Sequence, residues 1–175
     1  IYNSMAASAF ILLCYNPYLL WDVGFQLSYF AVLGIVIAQP YIAKWFYIKN
    51  KFLNSIWQLS SVSLAAQLFT FPICIYYFHQ LPLLFLISNL IAIPLTTVAL
   101  WTCLILVAVS PLNMIAIFTG KIIFCVIWMI NHTVFFINGI PFSLWDGIFL
   151  NVTGTIILYA IVCSFLYWLL RKDKL

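Results

Sequence analysis

Between Lys51 and Lys121 the chain carries no Asp, Glu, Lys or Arg. A stretch like this cannot clothe itself in charge, so it cannot build an ordinary water-facing surface. The remainder is only slightly more polar. Of the 175 residues, 67% are hydrophobic and 6% are charged, against about 45–50% and about 25% in soluble domains. In lipid each backbone N–H and C=O must be satisfied within the segment, and a continuous apolar run meets that demand as a helix.

Six runs approach the roughly 20 apolar residues that span a bilayer: about 2–15, 23–42, 55–76, 83–109, 113–137 and 151–170. Asn16-Pro17, Ser110-Pro111 and Gly139 with Pro141 punctuate them, because the residue before proline is pushed out of the helical region. The expected fold is all-α, a polytopic transmembrane helical bundle of about six spans. The whole of 1–175 reads as one transmembrane domain. The chain opens on Ile1 without a Met, so it is expected to be a piece of a longer polypeptide. Aromatic residues near the expected ends, among them Trp21, Tyr76, Tyr77 and Trp168, suit the membrane interface.

Numbering sides alternately puts Lys44, Lys49, Lys51, Arg171, Lys172 and Lys174 on one side, with Lys121 able to snorkel to it. The other side holds Asp22, His79 and Asp146. Since basic loops stay in the cytoplasm, the 43–54 loop and the C-terminus are expected to be cytoplasmic. The net charge of +4 is then mainly a topology signal, and the loop could also meet anionic lipid headgroups.

Polar side chains inside such runs are expensive and mark interior faces or pathways. Asp22 and Gln26 are one helical turn apart, and Tyr29 continues the stripe. Asp22 suits a helix N-cap as well as a hydrated mouth. Gln26 suits an interhelical hydrogen bond as well as a path. In the third run Ser60, Ser63 and Gln67 share a face, and Ser61 and Ala65 have the small-residue spacing of close helix contacts. Gln67 is the deepest polar marker. His79 reads as a solvated loop residue able to titrate near neutral pH.

Pro94 frees the carbonyl of Leu90, with Asn89, Thr96 and Thr97 nearby. It marks either a break between half-helices, a device of transport proteins, or a kink repaired by neighbours. Asn131 and His132 lie in the fifth run, with Asn138 seven residues beyond Asn131. The translocation-path candidates are therefore Asp22, Gln26, Gln67, His79, Asn89, Asn131 and His132, with Pro94 as a helix break.

No HExxH, GxSxG or P-loop pattern occurs, and no acidic pair lies inside a run. The five cysteines are nowhere closer than 22 residues, which gives no local metal spacing. No catalytic residue, cofactor or metal is expected.

The segment "NPYLLWDVGFQLSYFAVLGI", followed by "AAQLFTFPICIYYFHQLPLLFLISNLIAIPL", resembles the ComEC family of DNA-internalisation competence proteins. The resemblance covers about 80 residues. It places Asp22, Gly24, Gln26, Ser28, Gln67, Pro72, Asn89 and Pro94 on characteristic positions without assigning them roles. It implies a multi-pass protein of the bacterial inner membrane that passes single-stranded DNA during natural transformation. Its implied partners are single-stranded DNA, the lipid bilayer, a second copy of the chain and other competence proteins. Any nuclease chemistry would belong to family domains outside this chain. A small-solute secondary transporter and a structural membrane scaffold are the alternatives.

Overall fold

The computed structural model describes residues 1–141 and 143–172. The side chain of Lys172 and all of Lys174, on which the basic-side expectation partly rests, lie outside the description. Helices α1 (Tyr2–Tyr15), α2 (Val23–Ala43), α3 (Lys51–Phe78), α4 (Phe85–Val109), α5 (Asn113–Asn138) and α6 (Val152–Lys172) carry nearly all of the structure. The last five are long and apolar enough to cross a membrane, and α1 is a shorter apolar helix. Two short strands, β1 (Gln80–Pro82) and β2 (Leu144–Asp146), pair in a two-stranded sheet.

The helix limits follow from local chemistry. A 3-10 turn, Pro17–Trp21, separates α1 from α2, and the Asn16 side chain accepts the Tyr18 N–H at 3.1 Å. Asp22 then caps α2: the Phe25 N–H donates to Asp22 Oδ1 at 2.8 Å, satisfying a donor that the first turn leaves open. Asn50 does the same for α3 through the Phe52 N–H at 3.0 Å. At its other end α3 stops on His79, whose φ of 56° is left-handed, a common way to end a helix.

The chain divides into two compact units: 1–81 with 145–175, and 82–144. In the first, α2 and α3 run antiparallel and α6 packs on both. Its core is built around Ala38, Ile42, Ala65, Phe69, Val162 and Leu166. The closest approach is at Gly34, where an added Cβ would lie 2.6 Å from the Ala65 carbonyl oxygen. Ser61 and Ala65 are both fully buried, so the small-residue row expected from the sequence is the α2–α3 contact. Dispersion across such close backbones is what binds helices in lipid, where burial of apolar surface gives little. The second unit is the hairpin of α4 and α5. Its α5 buries Thr119, Val126 and Ile137, whereas α4 has no buried residue.

One expectation is corrected. Pro94 does not divide α4, which is continuous from Phe85 to Val109. Proline removes a single ladder hydrogen bond, and the turns on either side keep theirs. Thr96 Oγ1 donates to the Ala92 and Ile93 carbonyls, both at 2.9 Å, and Thr97 Oγ1 to Ile93 at 2.8 Å. Pro40 and Pro72 are likewise held inside α2 and α3.

Candidate functional site

The path candidates fall into two groups. Asp22, Gln26, Gln67 and His79 belong to the first unit, and Asn89, Asn131 and His132 to the second. Asp22 is the α2 cap described above. Gln26 Nε2 donates to the Leu20 carbonyl at 2.9 Å, which ties α2 back to the preceding turn instead of to another helix. Tyr29 continues the stripe towards α1, its hydroxyl sharing a 2.9 Å hydrogen bond with that of Ser8.

Gln67 is on α3, and its Nε2 is buried with no hydrogen-bond partner among the described residues. An unpaired buried donor costs roughly 1–3 kcal/mol, so this amide is where the first unit has an unmet polar demand. His79 is not a solvated loop residue. Its ring packs on Phe149 at 4.8 Å, its Nδ1 is buried with no hydrogen-bond partner among the described residues, and its carbonyl accepts the Ile148 N–H at 3.3 Å. In the second unit Asn89 is half-buried, while Asn131 and His132 are exposed, the histidine ring stacked on Trp128 at 5.0 Å. The second unit has a pocket of about 170 Å³ beside Ser88, Asn138 and Ser143.

The larger concavity is in the first unit, at the end of α2 that begins with Asp22. It is an open cleft of about 580 Å³ between the 3-10 turn, the start of α2, the end of α3 and the start of α6. That volume is in the roughly 300–1,000 Å³ range of small-molecule sites. Trp21 comes from the turn, Gln26 and Phe30 from α2, Tyr76 and Tyr77 from α3, and Thr155 and Tyr159 from α6. Phe30 and Tyr159 are ring neighbours at 5.4 Å, and Tyr76 and Tyr77 meet edge-on at 5.0 Å. The Tyr159 hydroxyl donates to the Phe69 carbonyl at 3.1 Å, which fixes the inner wall. No Asp, Glu, Lys or Arg is among the described lining residues. Such a wall can stack planar rings and hydrogen-bond neutral groups. It supplies no acid–base pair, and the described residues hold no cluster of metal ligands.

Sequence reasoning found Gln26 in this cleft and missed the rest. Trp21, Tyr76 and Tyr77 were read as interface anchors, and Thr155 and Tyr159 gave no signal. It also missed Gln39, whose Nε2 donates to Gln58 Oε1 at 3.0 Å and to Ser61 Oγ at 3.4 Å. The clue was an amide near the end of one apolar run facing another near the start of the next, across a short loop. The Trp57 indole closes that loop end by donating to the Ala43 carbonyl at 2.9 Å.

Comparison with known proteins bears on what the arrangement serves. No solved structure matches the chain. ComE operon protein 3 of Bacillus subtilis (strain 168) is 33% identical over 95 residues, which are 54% of this chain and 11% of that protein. The chain thus corresponds to a small part of that relative's length. A family model described as "Competence protein" matches residues 1–172. The fold of apolar helices and this near-complete match together place the chain in the competence protein family.

Proposed function

We propose that this chain is membrane-embedded machinery of DNA uptake, carrying single-stranded DNA across the bacterial cytoplasmic membrane during natural transformation. The match to the competence family along residues 1–172 carries the proposal. Physical chemistry supports it. Each phosphate is charged, so a strand cannot cross bare lipid. A path with amide, hydroxyl and aromatic walls lets bases pass without reading them. The cleft and the unpaired Gln67 amide are walls of that kind. The 43–54 loop faces the cytoplasm in this account, and the Asp22 end faces outward. No chemical step is assigned to these residues. The small-solute transporter alternative is suggested by Pro94 within α4, and the lack of an acidic residue inside the apolar runs weighs against it.

The test is complementation of a deletion strain with the full-length protein carrying Gln67→Leu or Asn89→Leu. The expected result is a roughly tenfold fall in transformants, the rate equivalent of one lost hydrogen bond, at unchanged protein abundance. A fall in abundance that matches the fall in transformants would make both residues structural. Unchanged transformation would remove them from the path.

A further inference from the structure

The cleft differs from an ordinary lipid-facing groove in what its wall leaves unused. Its outer rim is aromatic and open: Trp21 is 76% exposed and Tyr77 37%. Gln26 is held in place through its Nε2, and no donor among the described residues engages its Oε1. The hydroxyls of Tyr76 and Tyr77 are likewise without a hydrogen-bond partner among the described residues. An acyl chain would gain nothing from these acceptors and donors. A phosphate would find no cation among the described lining residues and would meet the Asp22 carboxylate beside Trp21. A neutral planar group with polar edges answers both halves of the wall.

We propose that the cleft formed by Trp21, Gln26, Tyr76, Tyr77 and Tyr159 binds an unpaired nucleobase, stacking it on the rim aromatics while the sugar–phosphate backbone stays outside in water. The site sorts base from backbone by charge. It takes any base, because every base has a π-face to stack and a polar edge that an amide or a phenol can meet. This rests on the DNA-uptake role proposed above and gives that role its first contact with the strand. The Gln26 carbonyl is the acceptor for a base N–H, and the rings supply the stacking.

The experiment uses the full-length protein in bilayer nanodiscs, a short oligothymidylate, and a strand of equal length without bases. Binding is followed by fluorescence anisotropy. A second oligothymidylate carries 5-iododeoxyuridine for photo-cross-linking, with the adduct mapped by mass spectrometry. The expected result is an adduct on Trp21, Tyr76 or Tyr77, with the base-free strand bound at least roughly tenfold more weakly, as loss of base stacking implies. Tyr77→Leu weakens oligothymidylate by a similar factor and leaves the base-free strand unchanged. Tyr77→Phe keeps the ring, loses only the hydroxyl, and weakens binding less than Tyr77→Leu does. Because Trp21 and Tyr77 are exposed, these changes leave the helix core in place, and melting of each variant verifies it. Equal binding of the two strands overturns the proposal, as do adducts mapping only outside the cleft. Strand binding indifferent to Tyr77→Leu also overturns it, and is the result an acyl chain as occupant would give. In those outcomes the DNA-uptake role stands if Gln67→Leu still lowers transformation. If Gln67→Leu and Asn89→Leu leave transformation unchanged, the role itself loses its path residues whatever the cleft binds.

Discussion

Helices α3 and α4 are alike in length and each contains one proline, yet α3 buries eight residues and α4 none. The difference is in side-chain size. Along α3 a row of serines and an alanine lets the α2 backbone come within contact of the Ala65 carbonyl. Along α4 the small residues are interspersed with large ones, and side chains such as Leu100, Trp101 and Val107 are exposed. Small residues tie helices together in an apolar medium, and large aliphatic ones do not, because lipid solvates them as well as protein does. Close helix contact is thus made in the unit that carries the cleft, and the α4–α5 hairpin keeps broad apolar surface.

The helix starts show the same contrast. Asp22 and Asn50 cap α2 and α3 with their side chains, while α4 and α5 begin after Leu84 and Leu112 with no side-chain cap. Although α1 begins after Ile1 with no side-chain cap, α2 and α3 of the first unit thus have their starts pinned as well as their middles. That matters for the cleft, since the Asp22 cap sits one residue from Trp21 and four from Gln26.

The largest expected effect comes from filling the closest contact. Gly34→Leu should cost about 1–3 kcal/mol or more by overpacking, read as lost thermal stability and a low yield of membrane-inserted protein. The matching change in the other unit, Gly120→Leu, should be tolerated, because a Cβ there meets nothing within 4 Å. If both variants melt alike, the contrast between the units is wrong. A smaller effect is expected at the helix starts. Asp22→Ala should cost about 0.5–2 kcal/mol and Asp22→Asn only a few tenths. Leu112→Asn, which supplies α5 with the cap it lacks, should raise the stability of the hairpin by about 0.5–1 kcal/mol. Thermal melts in one detergent compare the three. A destabilising Leu112→Asn would show that α5 has no use for a cap.

Most of the helix architecture was legible in the sequence. The breakers Asn16-Pro17 and Ser110-Pro111 act locally, and the limits of α2, α4 and α5 fall within two residues of those expected. The row of Ser61 and Ala65 was legible too, since spacing along one helix suffices to see it. Pro94 was over-read because sequence shows the lost hydrogen bond and not the intact ones around it. The cleft was not legible. Its wall joins residues as distant as Trp21, Tyr77 and Tyr159, and an aromatic residue at a helix end looks the same whether it faces headgroups or a cavity. His79 was misjudged for a similar reason, because its packing partner Phe149 is far along the chain.

The central claim is that the Asp22 end of the first unit presents a water-filled cleft on the route of the DNA strand. Cysteine accessibility tests it most directly, in full-length protein whose native cysteines are changed to alanine. Single cysteines at Gln26 and Tyr77 are compared with one at Leu100 on exposed apolar α4. In intact cells a membrane-impermeant thiol reagent should label the first two and spare the third, and transforming DNA should protect the labelled pair. Labelling of Leu100 alone, or cleft labelling that DNA leaves unchanged, would contradict the account.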